Sequence, residues 1–266
     1  MPAQRFSEGG AVAGGGYWQR HPLDGCNNQR LGHRLGCLLL VSTLPGPALA
    51  QLAIEGAIQT DYRVRGYSMS KGRPAAAVYL SFDHRSGSYV GGSVVGTIDD
   101  GGPRLAAFQA NAGYAVGIRP TLSFDAGVSH ARYFFGFGSN RDYENTEAYA
   151  GLTFREVSAR LSYSPDYYQS GSRALYAELE AAIEPASNWL FSAHAGTLTY
   201  LDSPPYRSAR RRHDWRIGAS RQAGRFGFHL DLSGRVQDQP RFPTPYYVPR
   251  AAANESALVA TVTRAF

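Results

Sequence analysis

The sequence predicts an all-β protein: a closed antiparallel transmembrane β-barrel of about twelve strands. Three observations lead there. About twelve segments alternate apolar and polar residues with period 2, and several run past ten residues. The connections between them alternate long and short. The first 50 residues carry the three parts of a secretory signal.

Leu52–Gly66, LAIEGAIQTDYRVRG, sets the pattern. Ile54, Gly56, Ile58, Thr60, Tyr62 and Val64 form one row, and Glu55, Ala57, Gln59, Asp61, Arg63 and Arg65 the other. Successive side chains of a strand point to opposite faces, so one face is apolar and the other charged. Globular strands centre on about 5–6 residues, whereas a tilted strand crossing a bilayer needs about 9–11. A charged inner row and an aliphatic outer row suit a barrel with a polar lumen facing lipid outside.

The leader precedes this stretch. Arg30, His33 and Arg34 form a basic region, Leu35–Pro45 a short apolar run, and Ala48-Leu49-Ala50 a cleavage site. Residues 1–50 are therefore expected to be a leader with a signal peptide, and residues 51–266 the barrel. The apolar run is too short to span a membrane. Cys26 and Cys37 both precede the cut, so a mature chain has no disulfide framework and no cysteine metal site. Losing four arginines and two acids with the leader turns the net charge of +6 into +4. So mixed a balance, with Lys71 the only lysine, does not indicate nucleic acid. The 17 tyrosines suit a membrane interface.

The later strands are expected in order. Ala75–Asp83 sets Ala76, Val78, Leu80 and Phe82 against Tyr79, Ser81 and Asp83. Ser88–Asp99 turns Val90, Val94 and Ile98 outward and Tyr89, Ser93 and Thr97 inward. Leu105–Val116 buries Gln109 and Asn111; Thr121–Phe135 buries Ser123, Asp125 and Ser129. Thr146–Phe154 carries Glu147, Tyr149 and Thr153 inward. Val157–Ser164 alternates around Arg160. Ala174–Ile183 is rich in the helix formers Ala and Glu, but its period is 2, so it is read as a strand with Tyr176, Glu178 and Glu180 inward. Trp189–Leu201 carries Ser192 and His194 inward, Asp214–Ser220 carries Asp214 and Arg216, and Phe226–Gln237 carries His229, Asp231, Ser233 and Arg235. Ser256–Phe266 ends the chain with Leu258, Ala260, Val262 and Phe266 on one face.

The longer connections are Tyr67–Pro74, Gly136–Asn145, Pro165–Arg173, Asp202–His213 and Asp238–Asn254, with Asp99–Arg104 the weakest case. The shorter ones are His84–Gly87, Gly117–Pro120, Arg155-Glu156, Glu184–Asn188 and Arg221–Arg225. Outer-membrane barrels have even strand numbers, short periplasmic turns and longer external loops. The terminal Phe266, after alternating apolar residues, resembles the signal read by the barrel-assembly machinery, and Arg264 departs from that pattern.

Several motifs resemble one family. TDYRVRGYSMSKGRPA at Thr60–Ala75, SGSYVGGSV at Ser86–Val94, YENTEAYAGLTF at Tyr143–Phe154, YSPDYY at Tyr163–Tyr168 and DWRIGASRQAGRFGFHLDL at Asp214–Leu232 resemble the TorF family of porins. The resemblance covers nearly all of residues 51–266. It implies a porin-like outer-membrane barrel and no defined substrate.

The expected lumen lining is Glu55, Asp61, Arg63, Arg65, Asp83, Asp125, Glu147, Arg160, Glu178, Glu180, Asp214, Arg216, Asp231 and Arg235. It is either a polar conduit for small hydrophilic solutes or an ion-pair network bracing a narrow barrel. Arrays of charge tune selectivity in a pore. Arg207, Arg210, Arg211 and Arg212 crowd one outer loop, where they either contact lipopolysaccharide phosphates or are simply solvated. Tyr246 and Tyr247, with Pro243, Pro245 and Pro249, either cover the mouth or form a free loop.

An enzyme is the weaker reading. Ser129 and His130 point to opposite faces, and His194 shares a face with Ser192 but with no identifiable acid or oxyanion group. No dinucleotide fingerprint, phosphate loop or metal-ligand cluster is present, so no cofactor is expected. The expectation is an outer-membrane channel for passive diffusion. A structural or adhesive barrel without an open pore, or a barrel hydrolase, is the alternative.

Overall fold

The computed structural model describes residues 50–99, 101–134, 142–168, 170–202, 209–237 and 255–266. The leader before Ala50, Arg207, and the Tyr246–Tyr247 segment with its prolines lie outside the described residues.

The described strands are β1 (Ala50–Gln59), β2 (Arg63–Val64), β3 (Tyr67–Ser68), β4 (Ala75–His84), β5 (Ser88–Asp99), β6 (Gly102–Arg119) and β7 (Leu122–Tyr133). They continue as β8 (Tyr143–Phe154), β9 (Val157–Ser164), β10 (Ala174–Ala186), β11 (Trp189–Tyr200), β12 (Arg211–Ala223), β13 (Phe226–Gln237) and β14 (Glu255–Ala265). All but β2 and β3 form one closed barrel of twelve antiparallel strands, each paired with its neighbours in sequence. The seam lies between β1 and β14, where Glu55 pairs with Ala265 and Gln59 with Thr261. Closure leaves no strand edge unpaired, as hydrocarbon requires of a spanning sheet.

The period-2 pattern decides which face is which. Ile58 is 68% exposed, Leu258 63% and Val128 54%, all on the outer face. Ala57, Gln109, Glu147 and Arg235 are buried on the inner face. An aliphatic outer wall around a charged interior is the inverse of a water-soluble barrel, and it fits lipid outside.

β9 has the expected bounds, while β10 and β12 run longer than expected. The register slips between Val95 and Gly96, where β6 carries one extra residue, Ala106. β6 runs 18 residues, Gly102–Arg119, and the bulge accounts for one of them.

The first expected strand needs correction. β1 stops at Gln59, and residues 61–70 fold into the barrel around a hairpin of β2 and β3, with Lys71 and Gly72 exposed beyond it. Arg65 (φ 47°) and Gly66 (φ 76°) make its two-residue turn, the left-handed pair that a tight hairpin uses. Asp61 holds the base, accepting hydrogen bonds from Ser68 (2.5 Å), Ser70 (2.8 Å) and Arg63 (2.9 Å). Tyr62 and Val64, expected on the lipid side, are 2% exposed inside the lumen. The hairpin is itself extended chain, so period 2 continued through the bend without marking it.

Candidate functional site: the barrel lumen

On the strands, Glu55, Asp83, Asp125, Glu147, Arg160, Glu178, Glu180, Asp214, Arg216, Asp231 and Arg235 lie on the inward row. Asp61, Arg63 and Arg65 are also inside, but on the hairpin rather than on the wall. Most of the inward set joins four connected groups.

The first fixes the hairpin tip. Both terminal nitrogens of Arg65 donate to the carboxylate of Glu147, at 2.8 and 2.7 Å. The Arg65 guanidinium lies 3.8 Å from the centre of the Tyr176 ring and donates to Tyr167 Oη at 3.1 Å. Around the ring of strands, β8 is five steps from β1 one way and seven the other, so the hairpin reaches the far wall. Fork-to-carboxylate pairing adds direction to the Coulomb attraction, and a Lys would not reproduce it. Tyr62 ties the other flank, accepting a hydrogen bond from Gln109 on β6 at 2.9 Å.

The second group anchors the hairpin base. Arg63 donates to Asp61 and to the Gly66 carbonyl, and it lies 3.7 Å from Glu255. Glu255 also pairs with Arg235 at 2.9 Å, and Arg235 stacks over Tyr67 at 4.0 Å. A Cβ added at Gly66 would lie 2.8 Å from Arg235 Cβ and 2.9 Å from the Gly234 carbonyl. The turn therefore rests on the β13 backbone.

The third group is on the wall. Arg160 donates to Asp125 at 2.9 Å and sits over the Tyr149 ring. Tyr89 Oη is 2.6 Å from Tyr149 Oη and donates to Asp125 at 3.2 Å. These tyrosines lie flat because the strands beneath carry glycine: a Cβ at Gly127 would come within 2.6 Å of Tyr149 Oη.

The fourth group surrounds His194. Its Nε2 lies 2.9 Å from Asp214 and its Nδ1 3.2 Å from Glu180. Tyr176 Oη donates to Asp214 at 3.1 Å, and Arg216 reaches Glu180 at 3.4 Å. Both imidazole nitrogens face carboxylates, and no bond to Ser192 forms among the described residues, so the Ser–His pairing weighed from sequence is not assembled. His130 bonds Thr146 instead. Towards the short turns, a concavity is lined by Asp125, Thr153, Ser158, Arg160, Glu178 and Glu180.

The arginine cluster of the outer loop divides. Arg210 and Arg211 are exposed. Arg212 begins the inward row of β12 and lies over the rings of Tyr67 and Tyr200, so it is a lumen residue and not a surface contact. Sequence reasoning also missed Glu255 and the inward tyrosines as functional parts. Tyr89, Tyr149 and Tyr176 each occupied a polar position in a period-2 row, which was the available signal.

Fold and lumen together define a porin-like transmembrane β-barrel. The chain belongs to the family described as bacterial protein of unknown function (Gcw_chp), whose model matches residues 48–266. No curated protein matches it. Among solved structures, it is similar to the NanC porin at 11% identity and a TM-score of 0.52, over 80% of this chain and 99% of that one. It is also similar to the KdgM porin in complex with disordered oligogalacturonate, at 8% identity and a TM-score of 0.49, over 81% and 99% of the two chains.

Proposed function

We propose that the protein is an outer-membrane channel of the porin type, in which an inward hairpin narrows the path for passively diffusing small hydrophilic solutes. The observation that carries this reading is the Arg65 hairpin standing inside a charged wall. Barrels of about eight strands are filled by side chains, and those of 16–18 leave an aqueous channel. Twelve strands fall between, so one hairpin changes the free cross-section substantially. Buried Ser93, Ser164 and Ser233 hydroxyls on the inward row have no protein partner among the described residues. Such groups call for water, which supports a hydrated interior.

The remaining assignments follow from this reading. The short turns face the periplasm and the long connections the exterior. A signal peptide ending near Ala50 directs the chain, and the terminal Phe266 engages the barrel-assembly machinery. Arg210 and Arg211 contact lipopolysaccharide phosphates. The resemblance to TorF porins supports the same function. No catalytic residue is assigned.

A structural barrel without an open pore is the second reading, favoured by the hairpin's reach to the far wall. Planar-bilayer recording separates the two. A channel gives small, stepwise conductance that grows when residues 61–71 are replaced by a short linker. A structural barrel gives none in either form.

A further inference from the structure

Among the described residues, most arginines in the lumen and two at the long-loop end are ion-paired, with Arg210, Arg211 and Arg212 outside that set. Inside the lumen, Arg63, Arg65, Arg160, Arg216 and Arg235 each face a carboxylate within 4.0 Å. At the long-loop end, Arg132 pairs with Asp142 and Arg173 with Asp202, both at 2.7 Å. The short-turn end is different. Arg85, Arg119, Arg155, Arg221, Arg225 and Arg264 are all exposed there, and none makes an ion pair among the described residues. Glu156 and Glu184 share that rim without closing on any of them.

Three of these arginines are held against outward-facing rings. Arg155 lies 5.4 Å from the centre of Phe154, Arg221 5.4 Å from Trp189, and Arg264 5.0 Å from Phe266 and 5.7 Å from Phe226. Trp189 stacks on Phe191, extending the aromatic surface at the same level. A guanidinium laid on a ring keeps its N–H edges free, and those edges match two phosphate oxygens. Aromatic rings of this kind sit at the headgroup level of a membrane. Arg264, which departs from the apolar C-terminal pattern, has its place here. Apolar ring below and unpaired fork above match a lipid whose phosphate is charged and whose chains run along the wall.

We infer that the short-turn rim is a binding belt for the phosphates of anionic phospholipids in the leaflet it meets, with Arg155, Arg221 and Arg264 as its forks. The leaflet follows from the orientation argued under Proposed function; the belt itself does not depend on whether the lumen conducts.

Native mass spectrometry of the full barrel in detergent, with added phosphatidylglycerol or phosphatidylcholine, tests this. The wild-type chain should retain phosphatidylglycerol preferentially, and added salt should reduce that preference. R155Q/R221Q/R264Q should lose on the order of tenfold in retention, while R132Q/R173Q should lose nothing. Equal losses in the two variants, or equal retention of the two lipids by the wild type, overturn the proposal. Release of the lipid by inorganic phosphate at the same concentration as by salt of equal ionic strength supports a headgroup site. Release by far less phosphate marks a free-phosphate site and overturns it. Should the triple glutamine variant fail to fold by heat-modifiable mobility, R155K/R221K/R264K replaces it: loss of preference on exchanging fork for point charge supports the belt, and unchanged preference refutes the fork geometry. Conductance, measured on the same preparations, reports separately on the channel.

Discussion

Arg65 and Glu147 meet inside the lumen, joined directly by two hydrogen bonds although 82 residues apart in sequence. One side chain stands on a hairpin that left the wall after β1; the other stands on β8 across the barrel. Their side chains are 10% and 4% exposed, so neither charge has water as an easy substitute. Breaking such a pair costs about 3–5 kcal/mol because the remaining charge is stranded. Arg65→Gln should therefore release the hairpin tip, and Glu147→Gln should do the same. Limited proteolysis of folded protein checks this: both variants should be cut between residues 61 and 70, which are buried or half-buried in the wild type.

Gly66→Val should have a similar effect by a different cause. Its φ of 76° disfavours a branched side chain, and its Cβ would press on Arg235 and the Gly234 carbonyl. The hairpin should undock while the barrel stays closed. Unchanged heat-modifiable mobility with new protease sensitivity is the expected pair of results.

The wall should respond to Gly127→Ala. The new methyl would lie 2.3 Å from the Ala112 carbonyl and 2.6 Å from Tyr149 Oη. Overpacking typically costs about 1–3 kcal/mol. The variant should unfold at lower urea concentration in lipid vesicles, and adding Tyr149→Phe should restore part of the loss by removing the clashing hydroxyl.

Accessibility separates the hairpin from an ordinary outer loop. Lys71 and Gly72 are exposed, whereas Tyr62 and Val64 are buried in the lumen. Cysteine at position 71 should label on intact cells, and cysteine at 62 should not. Equal labelling would mean that residues 60–74 extend outward.

Between the loop ends, Arg173 holds the Asp202 carboxyl below its ordinary value of 3.8 by donating hydrogen bonds to it. A depressed carboxyl stabilises the folded form above the unfolded value, and that contribution is lost as pH falls through the lowered one. The tie between residues 173 and 202 should therefore persist at neutral pH and weaken only below about 3.8. Amide exchange at Leu201, whose N–H donates to the Arg173 carbonyl, should speed up in that range and not before.

The wall was legible in the sequence because period 2 maps directly onto inside and outside. Val90 against Tyr89, Leu161 against Arg160 and Leu232 against Asp231 all stand where the alternation puts them. The hairpin was not legible, because Arg63 and Val64 keep that alternation after leaving the sheet. Only Gly66, one residue past the expected row of charges, marked the bend. Pairings such as Arg65 with Glu147 or His194 with Asp214 depend on barrel closure and register, which no local pattern carries. Arg212 was misread because the start of β12 was placed three residues late, and those residues decide which way a side chain points.

The central claim is that an inward hairpin narrows a conducting lumen, and single-channel recording in planar bilayers tests it most directly. Wild-type protein should show small, uniform conductance steps. Arg65→Gln, and more strongly replacement of residues 61–71 by a short linker, should enlarge them several-fold without loss of the closed barrel. Absence of conductance in the wild type and in the hairpin-replaced barrel, both inserted and folded, would contradict the account.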